Sequence, residues 1–501
     1  MPAQRTVALS ELTFAYPSSS ATLFSGVSAT FNRGFTGIVG ANGAGKTTLL
    51  RLICGDLQPS EGFVSGNLGT LYCAQRTDDP PPDLVDFFED WGSDAFELRG
   101  RFDIAAQSVE RWSSLSHGER KRVQIAHALW QKPEVLAIDE PTNHLDGTAR
   151  TKLIDGLEQF KGTGFIVSHD RSLLDQLCQQ CLWIEPPLID LRTGGYTASA
   201  KQRESEAESR QHARATLTRD HRRMKKETER RRDTAGAERQ KRSKRGLSNK
   251  DSDGRDRINR AKNTDSKAGA PLRQLDGRTR QLNDRLADLK VAKTYETGIW
   301  LPGSRSHRNS LLELPAGSLQ LAAHRSLTWP DLRIGTADRI VLTGPNGAGK
   351  TTFLNHILTM LNAPPKHIVF LPQELPAEAT RSLLDEVKQQ PKASLGVTMN
   401  IVSRLNSRPA AVLSSNLPSP GEARKLLLAV GMQSAPHIIV MDEPTNHLDL
   451  PSIEALQAAL IECPCALILA SHDETLIDAI GGQRWRFEQG RAGATHINPQ
   501  R

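Results

Sequence analysis

The sequence predicts a mixed α/β chain built from two copies of one domain with a basic helical segment between them. Three observations carry the prediction. The seven residues Glu-Pro-Thr-Asn-His-Leu-Asp occur twice, as Glu140 to Asp146 and Glu443 to Asp449, each time after an apolar run ending in Asp. Neighbouring motifs recur at one separation: Ser116 to Ser419, Asp139 to Asp442 and His169 to His472 are each 303 residues apart. Short apolar runs alternate with helix-like segments in both copies, the pattern of a largely parallel sheet covered by helices.

A chain of 501 residues is too long for one hydrophobic core, and average domain size suggests about three units. Residues 1–199 supply the first, with strand-like runs at Gly37 to Val39, Leu68 to Cys73, Val135 to Ile138 and Gly164 to Val167. Residues 301–501 repeat the plan at Ile340 to Thr343, His367 to Phe370, His437 to Met441 and Ala466 to Ala470. Residues 200–300 form the third. Within it, from Lys201 to Lys290, 28 Lys and Arg stand against 15 Asp and Glu, an excess of 13, while the rest of the chain holds 36 basic and 42 acidic residues. Leu272, Leu275, Leu282, Leu286 and Leu289 fall on one helical stripe, and Leu217 and Met224 lie seven apart upstream. An antiparallel helical hairpin follows, with its loop from about Gly246 to Ala270.

No apolar stretch approaches the roughly 20 residues needed to cross a bilayer, and Met1 to Ser10 lacks the apolar region of a signal peptide. The sequence therefore reads as cytoplasmic. Six scattered cysteines do not make a disulfide framework. Cys178 and Cys181 form one C-x-x-C without a second pair or a His cluster, and are expected as small apolar side chains on a helix leading into a strand.

Gly40-Ala41-Asn42-Gly43-Ala44-Gly45-Lys46-Thr47 fits G-x-x-x-x-G-K-[ST] between an apolar strand and a helical run that begins at Thr48. Gly344-Pro345-Asn346-Gly347-Ala348-Gly349-Lys350-Thr351, followed by Thr352, repeats it. In such a loop, glycines let backbone N–H groups converge on phosphates at a helix N-terminus, the lysine neutralises β/γ oxygens and the threonine hydroxyl ligates Mg²⁺. The strands ending at Asp139-Glu140 and Asp442-Glu443 supply the complementary acids: Asp139 and Asp442 for Mg²⁺, Glu140 and Glu443 as general bases for the attacking water.

Leu115-Ser116-His117-Gly118-Glu119 resembles the LSGGE signature of ATP-binding cassette proteins, and two tandem P-loop cassettes joined by a basic helical-hairpin linker resemble the ABC-F family of translation factors. The resemblance implies further site residues: Gln75 and Gln373 as Q-loop glutamines that also reach Mg²⁺, His169 and His472 as switch histidines, Asp146 and Asp449 as D-loop acids, and Tyr16 as an adenine-stacking aromatic without a counterpart in the second copy. It implies that signatures act in trans. Ser419, Gly421 and Glu422 would complete the site built on Lys46, and Ser116, Gly118 and Glu119 the one built on Lys350. The second signature, Leu417-Pro418-Ser419-Pro420-Gly421-Glu422, carries two prolines, each fixing φ and removing an amide donor, so the first site is expected to hydrolyse ATP more slowly.

The family resemblance further implies binding at the ribosomal E site, with the linker, like the family's P-site tRNA interaction motif, reaching 23S rRNA and P-site tRNA near the peptidyl-transferase centre; some such proteins dislodge ribosome-bound antibiotics. Both cassettes being in one chain, no stable oligomer is required, and the segment Arg76 to Trp112 leaves no room for the extra arm of some relatives. A segment carrying 13 excess positive charges suits an RNA target through phosphate and shape contacts. Two other classes fit parts of the sequence: the energising subunit of an exporter, and a DNA-directed ATPase of replication or repair.

Overall fold

The computed structural model describes residues 6–17, 22–66, 69–105, 111–143, 145–241, 277–285, 303–322, 324–490 and 494–500. The chain divides into two compact units, one combining Met1–Ser199 with Glu296–Arg501 and the other Ala200–Tyr295.

In the first half, five parallel strands lie side by side in the order Thr70–Cys73, Val135–Asp139, Thr163–Val167, Gly34–Gly40 and Cys178–Glu185, and Leu188–Thr193 adds an antiparallel edge. Helices cover both faces, so Val135–Asp139 and Thr163–Val167 are buried at every residue and read in sequence as unbroken apolar runs. A three-stranded antiparallel sheet, Phe24–Phe31, Val7–Phe14 and Glu61–Ser65, packs its apolar residues into the same core.

The second half repeats this parallel order with Ile368–Leu371, Ile438–Asp442, Ala466–Ala470, Arg339–Thr343 and Gln483–Gln489. Here the sheet continues through Ala494–Gln500 and Arg325–Trp329 to Gly317–Ala322, reaching eight strands. In both halves the first parallel strand sits between the fourth and fifth. Its carboxyl end is thus a topological switch point, the place where open α/β sheets bind ligands.

Cys178 and Cys181 both lie on the strand Cys178–Glu185, buried and with free thiols, rather than on the preceding helix. That helix, Arg171–Leu177, is only seven residues long and stops where Cys178 turns extended to pair with Phe35.

A helix runs from Tyr196 to Lys241. Leu217, His221, Met224 and Thr228 form its less exposed stripe at spacings of four, three and four, while most charged side chains between 201 and 231 are exposed. Leu282 lies half-buried in a helical stretch over residues 277–285. The other leucines of the expected stripe, Leu272, Leu275, Leu286 and Leu289, lie outside the described residues, as does the loop expected from Gly246 to Ala270. No described helix is long and apolar enough to cross a membrane.

The pairing of neighbouring strands leaves no room at Gly164, where a methyl group would stand 2.1 Å from Cδ1 of the buried ring of Phe35, its partner across the sheet. Gly164→Ala should destabilise the first half by about 1–3 kcal/mol through overpacking. Gly100→Ala, on the helix Ser93–Arg101 with open space around it, should be neutral or stabilising by up to about 1 kcal/mol. Thermal midpoints of the two variants check both expectations.

Candidate nucleotide sites

The two glycine-rich loops leave the strands Gly34–Gly40 and Arg339–Thr343 and end in the helices Lys46–Cys54 and Lys350–Met360. Gly45 and Gly349 hold φ near +97° and +95° as N-caps, and a side chain there would also meet Leu23 or Leu321 at 2.8 Å. Neither helix has a side-chain cap, so its first amides are left to an incoming anion. Lys46 Nζ donates to the carbonyls of Gly40 (2.9 Å) and Ala41 (3.1 Å), and Lys350 Nζ to those of Gly344 (2.7 Å) and Pro345 (3.2 Å). Burial lowers the pKa of both ammonium groups, against the pull of Glu140 on Lys46 and Glu443 on Lys350.

The hydroxyls of Thr47 and Thr351 donate to Asp139 Oδ2 (2.7 Å) and Asp442 Oδ2 (2.6 Å), so each threonine–aspartate pair is assembled at the carboxyl end of the sheet. Glu140 and Glu443 follow with φ near +47° and +46°, a conformation that costs a non-glycine residue of order 1–3 kcal/mol. Each is pinned there by its own amide, which donates at 2.8 Å to Val167 O or Ala470 O. Burial pushes the Glu443 carboxyl up to about 7 and raises that of Glu140 as well, in both cases against the neighbouring lysine.

His169 Nε2 stands 3.1 Å from Glu140 Oε1, and His472 Nε2 stands 3.4 Å from Glu443 Oε1. Burial, reinforced by the adjacent lysines, lowers the two imidazoles to about 3 and about 4, so both are neutral at pH 7. His472 Nε2 also lies 3.0 Å from Lys350 Nζ and 3.2 Å from Asn346 Oδ1. Glu140 Oε1 is buried, with His169 Nε2 beside it but no well-formed hydrogen bond.

Ser116 and Ser419 cap the helices His117–Trp130 and Pro420–Met432 in matching geometry: φ is −64° and −60°, and each closes a capping box with Glu119 or Glu422. Gly118 and Gly421 are buried in the first turns. Pro420 occupies the first helical position, where proline costs no intrahelical bond, so the two prolines leave the cap intact. What differs within the helix N-terminus is one amide donor, present at His117 and missing at Pro420, while ahead of the cap Pro418 lacks the amide that Leu115 donates to Arg111 O and Trp112 O. Behind the caps, Lys121 Nζ donates to Asp139 O (2.9 Å) and Arg424 Nη2 to Asp442 O (2.8 Å), tying each signature helix to the acidic strand of its own half.

The halves meet through the D-loops. Asp449 caps its own helix by accepting from Ser452 N through Oδ1, and with Oδ2 accepts from Asn42 N at 2.9 Å. Asp146 does the same with Ala149 N and, at 3.2 Å, with Asn346 N. Each aspartate thus binds the phosphate loop of the opposite half. Burial works against both charges, yet Lys425, Ser452 and Asn42 hold Asp449 below the ordinary range, and the Ala149 and Asn346 amides do so for Asp146. Asn42 Nδ2 also donates to His447 O (3.2 Å), the carbonyl against which Gly421 packs so closely that a methyl group there would stand 2.4 Å away. The second signature therefore lies beside the first phosphate loop. Arg171 to Gln457 (2.8 Å) and Tyr196 to Glu454 (2.7 Å) add further bonds across the interface.

A cavity of about 400 Å³ opens at the second site, lined by Lys350, Thr351, Thr352, Gln373, Asp442, Glu443 and His472 from one half and by Thr142, Arg150 and His169 from the other. Gln75 is exposed, and among the described residues it makes no hydrogen bond to Thr47 or Asp139. Tyr16 donates to or accepts from Thr48 Oγ1 at 2.8 Å, with its partly exposed ring beside the first loop.

Two differences between the halves escape motif reading. The Tyr72 hydroxyl donates to Asp139 Oδ2 at 3.2 Å, while Phe370 stands at the matching strand position in the second half. Arg325 donates to Gly347 O of the second phosphate loop, whereas the residue beside the first loop is Tyr16, bonded to Thr48. Only a comparison of paired strands, position by position, would have drawn attention to them.

Two phosphate loops, each closed by an aspartate of the other half, define a tandem ATP-binding cassette ATPase. The family model described as ABC transporter matches twice, over residues 24–143 and 329–446. The chain is 28% identical to the ribosome protection protein VmlR of Bacillus subtilis, over 92% of this chain and 83% of that one, and 28% identical to the erythromycin resistance ATP-binding protein MsrA of Staphylococcus epidermidis, over 90% and 91%. An archaeal ribosome recycling factor, solved in complex with a ribosomal stalk protein, shares the fold at a TM-score of 0.62 and 18% identity, covering 98% of this chain and 90% of that one. The chain is similar to proteins of the ABC-F family, and its two cassettes are those of an ATP-hydrolysing ATPase.

The raised acid of the second site gives a signed expectation. Native Glu443 holds its proton more tightly than the unfolded chain, so its contribution to stability is complete below pH 4.5 and is lost as pH rises through about 7. Glu443→Gln cannot ionise. Without nucleotide, its thermal midpoint should exceed that of the wild type by a margin that widens across this window; a constant margin would remove the ionisation as its cause.

Proposed function

We propose that this ATPase binds the ribosome in its ATP-bound state, inserts the basic segment between its cassettes toward 23S rRNA and P-site tRNA, and acts in the cytoplasm as a ribosomal protection factor that displaces antibiotics. One observation carries the reading: a single chain joins two reciprocally closed nucleotide sites to a segment with 13 excess positive charges. The names of the relatives VmlR and MsrA point the same way. Phosphate-dense RNA is the partner such charge suits, through displacement of counterions.

At each site the loop glycines, Lys46 or Lys350, and Thr48 or Thr352 would hold the triphosphate. Tyr16 would stack on the base in the first site. Thr47 with Asp139, and Thr351 with Asp442, present the hard oxygen donors that suit Mg²⁺, with Gln75 and Gln373 as further ligands. When bound, the ion would neutralise charge on the β and γ phosphates.

Glu140 and Glu443, with elevated proton affinity near working pH, would take a proton from the attacking water, and neutral His169 and His472 would hydrogen-bond the γ-phosphate. Ser419, Gly421 and Glu422 would close the first site, and Ser116, Gly118 and Glu119 the second. The amide missing at Pro420 leaves the first site one donor short and the slower of the two. Hydrolysis would dissolve the contacts to the signatures, open the D-loop bridges and withdraw the linker.

Glu140→Gln combined with Glu443→Gln should accumulate with ribosomes in ATP and leave them in ADP or at high salt. Absence of the double variant from the ribosomal pellet in ATP would overturn the reading, and stimulation of its parent by branched DNA instead of ribosomes would redirect it. Expression of the wild type should raise tolerance to at least one inhibitor of the peptidyl-transferase centre or exit tunnel; unchanged susceptibility to all of them would leave a general translation role. Tyr72→Phe, which gives the first site the second site's residue, should alter the Mg²⁺ concentration needed for nucleotide binding while leaving the thermal midpoint nearly unchanged.

A further inference from the structure

Two short helices of the first half, Leu84–Glu89 and Ser93–Arg101, bury only one side. Leu84, Phe87 and Ala95 face inward, while Val85, Trp91 and Phe96 are 51%, 86% and 70% exposed. Scattered apolar residues on a surface need no explanation, but Val85 and Phe96 on two consecutive helices, with a nearly bare tryptophan in the turn that joins them, form a patch.

The turn that presents Trp91 is held from several directions. Asp90 accepts from Gly92 N and from Trp130 Nε1, both at 2.7 Å, and Arg99 donates to Phe87 O (2.5 Å) and Asp90 O (2.9 Å). Phe96 N donates to Gly92 O at 3.1 Å, placing Phe96 on the turn that follows Trp91. The backbone that carries both aromatics is thus held in place, which reduces the ordering cost of binding.

The surroundings are acidic. From Asp78 to Glu97 the sequence has eight Asp and Glu and no Lys, Arg or His. Asp94 and Glu97 pair with Lys132 and Arg101, while Asp86 and Glu89 stand exposed. The corresponding helices of the second half, Ala377–Gln389 and Lys392–Arg404, contain no aromatic residue and carry both charge signs. The shared ATPase framework therefore does not require this patch.

We propose that the face bearing Val85, Trp91 and Phe96 is a docking surface for a Lys- and Arg-rich protein segment whose apolar side chains pack on Trp91. The acidic rim repels nucleic acid and anionic lipid, and a second copy would set acid against acid. Central aromatic anchors with a charged rim are the arrangement that concentrates binding energy at an interface. The proposal is independent of ribosome binding.

The test uses the full-length protein and a fluorescent amphipathic helical peptide of about 18 residues, leucine on one face and lysine on the other, with a Glu/Leu peptide as control. The Lys/Leu peptide should bind and the control should not. Trp91→Ala with Phe96→Ala should weaken binding roughly tenfold or more, and Asp86→Asn with Glu89→Gln should weaken it while flattening its salt dependence, both with unchanged ATPase rate. Failure of the Lys/Leu peptide to bind, binding that is insensitive to Trp91→Ala with Phe96→Ala, or loss in that variant of binding to single-stranded RNA, to phosphatidylglycerol vesicles or to a second copy instead would overturn it.

Discussion

The reciprocal bond between a D-loop aspartate and the phosphate-loop amide of the other half is the constraint on which the rest of the arrangement depends. Asp449 reaches Asn42 and Asp146 reaches Asn346, and each uses its second oxygen to cap a helix of its own half. An aspartate committed in this way cannot move without disturbing its helix N-terminus, and that helix packs against the parallel sheet. Position is therefore passed from one core to the opposite nucleotide loop through a single side chain. Both charges lie below the ordinary carboxylate range in spite of burial, so the bridges persist across physiological pH.

The cassettes were legible in the sequence because their signals are local. Strands buried on both faces must be apolar at consecutive positions, as Val135–Asp139 and Ile438–Asp442 are, and a phosphate loop declares itself within eight residues. The contacts between halves were not legible in the same way. Asn42 and Asp449 are 407 positions apart, and nothing in either residue type announces the partner. Only the family resemblance foretold that the halves would face each other head to tail. The expectation of Cys178 and Cys181 on a helix fails because strand pairing with Phe35 and Gly37, residues more than 140 positions away, claims both.

Duplication has preserved the frame of the sites more strictly than their edges. Thr47–Asp139 and Thr351–Asp442 agree within 0.1 Å, and the capping boxes are matched even though one signature carries two prolines. Around this frame, Tyr72 faces Asp139 where Phe370 has no hydroxyl to offer, and Arg325 grips a loop whose counterpart has Tyr16 nearby. Each histidine lies against its glutamate, but His472 is also in contact with Lys350. The two pockets thus share their central chemistry and differ in the groups that tune it.

The anchoring of the signature helices by Lys121 and Arg424 bears on chain length. Lys46 precedes Gln75 by 29 residues but Lys350 precedes Gln373 by 23, and the steps from there to Ser116 and Ser419 are 41 and 46. From Ser116 to His169 and from Ser419 to His472 the span is 53 in both halves. That stretch works as a gauge, fixed at one end by the cap and in the middle by the cation bound to the acidic strand. Insertions and deletions are absorbed ahead of it, where loops end in solvent, and are excluded within it, where one added residue would carry the aspartate past its mark.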